Sequence, residues 1–269
     1  MKLKKGDIVG RLSYNKDIIF VISNIIKLKN QEIAILKGLI TRIEADSPIN
    51  DLELIDDNEV IGVLNKFEKE LEIRKNYLSN KAIQQSKRKN EYYGRILHLD
   101  GDKKYSEKSQ RFYKNLGLDV VVKNIPESKQ PFMISSLLSK YNPDILVVTG
   151  HDGMIRNGHN YNDIYNYRNS KYFVETVLRA RRWEQGANRM AIFAGACQSY
   201  YEAIMEAGAN FASSPARILI DFRDPLIVAE TIAKTDMNRY VTINDIKNDL
   251  RDGENGVSGI GSIGKKKIL

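Results

Sequence analysis

From Tyr93 to the C-terminus, short apolar runs alternate with helix-like segments, and this alternation constrains the fold more than any other feature. The apolar runs are GRILHLDGD, LDVVVKNI, DILVVTG, MAIFAGAC and ANFASSPARILID, and amphipathic segments such as YSEKSQRFYKNLG and KYFVETVLRARRWEQ separate them. Near-continuous apolar strands between helices are typical of a mostly parallel sheet with helices on both faces. We therefore predict an α/β domain over residues 93–269.

The N-terminal third has a different pattern. In residues 1–57, β-branched runs such as DIIFVISNII and EIAILKGL are separated by Asn, Gly, Lys or Asp, which predicts a small β-barrel-like domain. Residues 58–92 are predicted to be a helical linker, because Leu64, Phe67 and Leu71 recur at helical spacing. The linker ends in the basic run SKRKN, for which we favour a solvated surface over an anion contact or a proteolytic site.

The bulk composition excludes several classes of protein. The 269 residues include one cysteine, so the chain can form neither an internal disulfide nor a multi-cysteine metal site. The net charge of +8 permits an anionic partner without selecting one. We find no signal-peptide h-region and no apolar run of membrane-span length, so we expect synthesis in the cytoplasm and no membrane partner.

Two residues with catalytic chemistry follow apolar strands of the predicted sheet. His151 follows DILVVTG, and Cys197 ends MAIFAGAC, where we expect the next helix to begin. The carboxyl ends of parallel strands lie at one edge of a sheet, so both side chains should project from that edge. A helix N-terminus would favour the thiolate of Cys197, and an imidazole suits proton transfer. We prefer this pairing to two unrelated core side chains.

The other histidines are weaker candidates. His98 alternates within GRILHLDGD and is predicted to lie in the core of the sheet. His159 lies in a polar loop, where we favour a solvated side chain over one that holds a catalytic neighbour. A zinc site built from His151, His159 and Cys197 fits no compact ligand spacing, so we predict no metal and no cofactor.

The order of the two residues in the chain narrows the class of enzyme. No histidine follows His159, so a partner for Cys197 must precede it, unlike in glutamine amidotransferases, α/β-hydrolases and papain-like enzymes. A histidine about 50 residues before the cysteine is the caspase order. VVTGHDG and AIFAGACQ resemble the His-Gly and Ala-Cys motifs of that clan. Here Asp152 separates His151 from Gly153, which leaves open whose N–H joins that of Cys197 in an oxyanion hole.

Longer stretches resemble the YabG family of sporulation-specific peptidases. They are KGDIVGRLSY, LKGLITRIEADSP, ILHLDGD, LVVTGHDGMIRN, NSKYFVETVLRARR, FAGACQSYYEAIMEAGANFASSPARI and VTINDIKNDLRDGENGVSGIGSIGKKK. The resemblance covers essentially the whole chain. It implies a cysteine endopeptidase with a His151–Cys197 dyad that processes spore coat and cortex-associated proteins during sporulation. It also implies association with the developing spore coat, cleavage after arginine and self-processing.

Selectivity for arginine would require a carboxylate in the substrate pocket. Asp221 and Asp224 follow the strand after Cys197, so we take them as the first candidates. Asp152 and Asp163 are alternatives, and an ordinary capping role fits each of the four acids. Residues 212–214 could form a small pocket wall or simply pack at a strand end.

Two rival functions stay open. The chain could be a non-catalytic protein that binds the spore coat or a nucleic acid, or it could use the same dyad as an amidase or acyltransferase. We see no basic motif interleaved with aromatic residues of the RNA-binding type, so nucleic acid is not an expected partner. The run LRARRWE would suit self-cleavage if it were exposed, although a charged helix face is the favoured interpretation.

Overall fold

A computed structural model describes residues 2–28, 31–83, 91–155, 161–185, 187 and 189–268. Contacts between residues divide the chain into two compact units, Met1–Lys87 and Arg88–Leu269.

The first unit is built on a five-stranded antiparallel sheet. Its strands are β1 (Ile8–Arg11), β2 (Ile19–Leu28), β3 (Gln31–Gly38), β4 (Glu44–Pro48) and β5 (Leu52–Leu54). They are arranged in the order β4-β3-β2-β1-β5. No pairing among the described residues joins β4 to β5, so the predicted β-barrel-like domain is an open antiparallel sheet and not a closed barrel. The outer strands β4 and β5 have only five and three residues, so they could form few of the main-chain hydrogen bonds that would close the sheet into a barrel.

A long helix, α1 (Asp57–Ile83), follows this sheet. Its first turn carries Asp57 and Glu59, whose charges suit the positive end of the helix dipole. Val60 is buried with Ile19 and Ile55 of the sheet region, so the apolar start of the helix packs on the sheet. The basic run SKRKN lies outside the described residues.

The second unit contains ten strands and seven helices among its described residues. The strands are β6 (Glu91–Tyr92), β7 (Ile96–Asp100), β8 (Val120–Asn124), β9 (Ile145–Thr149), β10 (Ala191–Ala194), β11 (Phe211–Ser213), β12 (Tyr240–Val241), β13 (Val257–Gly259), β14 (Ser262–Ile263) and β15 (Lys267–Ile268). The helices are α2 (Lys103–Asn115), α3 (Gln130–Tyr141), α4 (Ser170–Trp183), α5 (Tyr201–Glu206), α6 (Asp224–Lys234), α7 (Ile243–Ile246) and α8 (Gly253–Gly256).

Six of these strands form the central sheet, in the order β13-β11-β10-β9-β7-β8. Every pair is parallel except β11 with β13, which is antiparallel. This confirms the predicted α/β class with a mostly parallel sheet. None of the described helices is both long and apolar enough to cross a membrane.

The helices cover the sheet in two groups, because α4 contacts both α3 and α5, and α2 contacts α6. Alternate strand residues serve the two groups. Leu97 and Leu99 enter the core formed with α3, α4 and α5. His98 lies between them in sequence and meets Tyr113 of α2, with the tyrosine oxygen 3.3 Å from His98 Nδ1. His98 is therefore buried within the sheet, as predicted.

Candidate active site

His151 and Cys197 leave the central sheet at the same level. Strands β9 and β10 are parallel neighbours, and Val148 pairs with Ala194 in their register. The Gly195 N–H donates to the carbonyl of Val148 at 3.0 Å, which continues the register to the strand ends. Because each of the two residues follows that pair by three positions, both lie at the carboxyl edge of the sheet.

Cys197 lies in a turn rather than at the start of a helix. Helix α5 begins at Tyr201, and Gln198 adopts φ +55°, which interrupts helical geometry directly after the cysteine. The expected support of the thiolate by a helix N-terminus is therefore wrong. The thiol is fully buried, and its Sγ lies 3.4 Å from the N–H nitrogen of Ile220 and 3.8 Å from the carbonyl oxygen of the same residue. The Gln198 N–H donates to the Ile218 carbonyl at 3.1 Å, so the 218–222 segment covers the sulfur.

The imidazole of His151 lies between two carboxylates and is 1% exposed. Its Nδ1 is 3.9 Å from Glu127 Oε1, and its Nε2 is 3.8 Å from Asp102 Oδ2. The main-chain N–H of His151 also donates to Glu127 Oε1 at 2.7 Å. The Tyr105 ring packs edge-on against the imidazole, with the ring centroids 6.3 Å apart. Glu127 thus contacts the backbone of the histidine and faces its ring.

Two glycines make room for the Glu127 carboxylate. Glu127 begins a short 3₁₀ turn shortly after β8, while Gly101 and Gly150 follow the ends of β7 and β9. A Cβ atom on Gly101 would lie 2.1 Å from Glu127 Oε1, and one on Gly150 would lie 2.3 Å from it. A side chain at either position would therefore displace the carboxylate from His151.

Asp152 is the hub of a buried hydrogen-bond network. Its Oδ1 accepts the N–H groups of Gly153 at 2.9 Å and Asn169 at 2.8 Å. Its Oδ2 accepts the hydroxyls of Ser170 at 2.6 Å and Ser199 at 2.8 Å. Burial raises the pKa of Asp152 from 3.8 to about 6, because desolvation of the carboxylate outweighs the four hydrogen bonds that favour its charge.

This network joins the two candidate catalytic loops. The Ser199 hydroxyl accepts the N–H of Ala196 at 2.8 Å, immediately before Cys197. The Ser170 hydroxyl accepts the N–H of Tyr200 at 2.8 Å, immediately after Ser199. Asp152, which directly follows His151 in sequence, therefore fixes the backbone on both sides of the cysteine turn through two serine hydroxyls.

The two first candidates for arginine selectivity have different surroundings. Asp221 forms a two-point ion pair with Arg223, with its Oδ1 2.9 Å from Nε and its Oδ2 2.8 Å from Nη2. Asp224 is fully buried at the start of α6 and accepts the N–H groups of Asp221 at 3.0 Å and Arg251 at 3.1 Å. Asp221 therefore binds a guanidinium group, while Asp224 caps the main chain.

The remaining candidates have structural contacts. Asp163 accepts the Tyr165 N–H at 2.9 Å and so caps a short 3₁₀ turn. Ser213 is buried at the end of β11, and its hydroxyl would lie 2.6 Å from a Cβ on Gly195. His159 lies outside the described residues.

Other expectations concern self-cleavage and metals. The LRARRWE run lies largely in α4, and Arg181 is held there by hydrogen bonds to the Gly208 and Met190 carbonyls, both at 2.8 Å. The favoured interpretation of a helix is therefore confirmed. In the part of the chain that the structure describes, no three His, Cys, Asp or Glu side chains are grouped so that they could hold a metal ion.

Sequence reasoning missed the roles of Glu127, Asp102, Ser170 and Ser199. Glu127 and Asp102 each follow a strand of the parallel sheet, so the strand-end rule that selected His151 could also have selected them. The serines carry no comparable signal, because their role depends on the distance between loops that are far apart in sequence.

A parallel α/β sheet with ionisable and nucleophilic side chains at the carboxyl ends of its strands is the arrangement of an enzyme of the α/β class. Comparison with known proteins identifies the family of enzyme. Residues 4–269 match the family described as YabG peptidase U57. The chain is also 36% identical over 283 residues to the sporulation-specific protease YabG of Bacillus subtilis (strain 168), covering 100% of this chain and 98% of that protein. No solved structure matches it.

The chain therefore belongs to the YabG peptidase family, as the sequence motifs predicted, and it is a peptidase of the sporulation-protease type.

Proposed function

We propose that this peptidase is a cysteine endopeptidase in which Cys197 is the nucleophile and His151 is the proton-transfer group. The observation that carries the proposal is the shared register of β9 and β10, which brings both residues to one edge of the sheet. The order of histidine before cysteine, each after a parallel strand, also supports a caspase-like mechanism. Its substrates are proteins, and we propose that they are spore coat and cortex-associated proteins processed during sporulation.

The proposed reaction has two stages. His151 takes the proton of the Cys197 thiol, and the thiolate attacks the scissile carbonyl to form a tetrahedral oxyanion. His151 then gives that proton to the leaving amine as the C–N bond breaks, which leaves a thioester. Water attacks the thioester, His151 accepts its proton and returns it to sulfur, and the carboxylic acid product leaves. No step requires a metal or a cofactor.

Main-chain N–H groups of Cys197 and Gly153 are the proposed oxyanion donors. The Gly153 N–H already donates to Asp152 Oδ1 at 2.9 Å, so it can serve the oxyanion only if that hydrogen bond is shared or released. The N–H of Asp152 is the alternative donor on the same loop.

Access to the nucleophile requires the covering segment to move. The Ile220 main chain lies within 3.4 Å of Sγ, so a scissile peptide cannot reach the sulfur while Ile220 stays in place. We propose that residues 218–222 shift when substrate binds and that the substrate backbone then occupies the space that Ile220 vacates.

Cleavage after arginine is proposed to depend on Asp221 in preference to Asp224. The carboxylate of Asp221 pairs with a guanidinium in a two-point geometry and lies next to Ile220, the residue that covers the sulfur. A substrate arginine would replace Arg223 at this carboxylate. Both oxygens of Asp224, in contrast, accept main-chain N–H groups.

The test compares Cys197→Ala, His151→Ala and the wild type on a recombinant coat protein and on peptide amides with Arg or Lys before the fluorogenic leaving group. We expect both variants to lose at least roughly 1000-fold in turnover, since each removes an essential group. An arginyl peptide with an electrophilic terminus should label the wild type at Cys197, the single cysteine. Undiminished cleavage by either variant would remove that residue from the mechanism.

A further inference from the structure

Glu127 stands out among the buried acids because it contacts His151 twice. Its Oε1 accepts the main-chain N–H of His151 at 2.7 Å and lies 3.9 Å from the ring Nδ1. The residue is 8% exposed. A carboxylate that loses its hydration in this way costs free energy unless other groups compensate, so its placement beside an imidazole needs a reason.

The position of Glu127 is built into three strand ends. The carboxylate comes from the connection after β8 and enters the space over Gly101 and Gly150, after β7 and β9. Any side chain on these glycines would occupy the carboxylate site, because a Cβ would lie 2.1 Å or 2.3 Å from Oε1. The slot and the acid therefore fit each other.

We infer that Glu127 is a positioning residue for His151. It fixes the backbone of the histidine through one hydrogen bond, and its charge lies on the Nδ1 side of the ring. A carboxylate on one ring nitrogen holds the imidazole in a single orientation and stabilises the imidazolium that forms when the other nitrogen takes a proton. Glu127 itself neither accepts the proton nor contacts the substrate. The inference rests on the proposed His151–Cys197 mechanism.

Asp102 does not provide an equivalent contact. Its Oδ2 lies 3.8 Å from Nε2, but its Oδ1 caps α2 by accepting the Tyr105 N–H at 3.2 Å. Glu127 is the acid that holds both the backbone and the ring of His151. Because of this double contact, Glu127 can orient His151, whereas a charge that is merely nearby would act only through its electrostatic field.

The test uses Glu127→Gln, which keeps the size of the side chain and an oxygen for the His151 N–H but removes the charge. We expect kcat on an arginyl peptide amide to fall roughly 10- to 100-fold, because the substitution impairs proton transfer by His151. KM should stay within about twofold of the wild-type value, because Glu127 does not contact the substrate. Glu107→Gln, an exposed acid on α2, is the matched control and should keep the wild-type kcat. Glu127→Ala should lose more activity and recover at least severalfold in formate, which can occupy the vacated slot.

The outcomes separate this inference from the proposed mechanism. Wild-type kcat in Glu127→Gln, or a loss in Glu127→Ala that formate does not reverse, would overturn the positioning role. His151→Ala is measured in parallel. If it is inactive while Glu127→Gln is fully active, the dyad stands and only the role of Glu127 falls. If His151→Ala is fully active, the proposed mechanism itself is wrong, and the role of Glu127 falls with it.

Discussion

Asp152→Asn should change how the stability of this protein depends on pH. Burial raises the pKa of Asp152 from 3.8 to about 6 in the folded protein. The folded state therefore keeps this proton at pH values where the unfolded chain has lost it. It follows that the Asp152 contribution to the free energy of unfolding falls as pH rises from about 4 to about 6. A pKa rise of about two corresponds to about 3 kcal/mol, of which about half is lost by pH 5.

The measurement is a difference between two proteins, which cancels the other titrating groups. Urea unfolding of the wild type and Asp152→Asn at pH 4, 5, 6 and 7 gives the difference in unfolding free energy at each pH. Asparagine does not titrate, so the variant should gain about 2.4 kcal/mol on the wild type between pH 4 and pH 7, the rest of the change lying below pH 4. A difference that stays constant within about 0.5 kcal/mol would refute the reasoning that desolvation dominates at Asp152.

Asp245→Asn is the control with the opposite sign. A hydrogen bond from the main-chain N–H of Thr242 lowers the pKa of Asp245, helped by the Thr242 hydroxyl and by the charge of Arg239. The unfolded chain therefore binds this proton first as pH falls, and the wild type loses stability relative to Asp245→Asn toward low pH. If the difference in unfolding free energy from the wild type changes with pH in opposite directions for the two variants, the assay resolves the titration of single carboxylates.

Two further substitutions test how the sheet edge and the end of α4 are held. Gly195→Ala should lower the free energy of unfolding by about 1–3 kcal/mol, because Gly195 has φ +110° and a Cβ would lie 2.6 Å from the Ser213 hydroxyl; a wild-type melting temperature would contradict this. Arg181→Met should cost roughly 2–5 kcal/mol in urea unfolding, since it leaves part-buried carbonyls and a carboxylate without their donor. Arg179→Met removes a partly exposed ion pair with Glu175 and an exposed contact of the guanidinium with the Phe132 ring, and it should cost at most about 1 kcal/mol. Equal losses in the two arginine variants would refute the argument.

The central sheet could be predicted from sequence because its strands are apolar on both faces. Runs such as DILVVTG are too continuous for a one-sided sheet, and the helices between them fix parallel neighbours. The same pattern predicted that His151 and Cys197 lie at one edge of the sheet, since each comes within three residues of a strand end. The family could also be predicted from the sequence, because its motifs extend over most of the chain.

The local geometry at Cys197 could not be predicted. A small residue after a strand and before SYYEAIMEAG is compatible with a helix start, but the turn at Gln198 and the hydroxyl of Ser199 delay the helix to Tyr201. That outcome depends on Asp152, which is 47 residues from Ser199 in sequence. The same limitation applies to the open N-terminal sheet, because β-branched alternation marks strands without saying whether the outermost strands pair with each other.

Burial of the cysteine has an energetic consequence for the proposed mechanism. Moving residues 218–222 off the sulfur breaks the hydrogen bonds that Gln198 and Ser214 donate to the Ile218 carbonyl, breaks a weak contact to Sγ and exposes one isoleucine side chain. These terms sum to about 3–6 kcal/mol, which corresponds to an open fraction of about one molecule in 10² to 10⁴. A substrate that fits the vacated space regains the lost contacts, whereas a small thiol reagent does not. Iodoacetamide should therefore label Cys197 slowly while an arginyl electrophilic peptide labels it fast, and equal rates of labelling would show that no segment has to move.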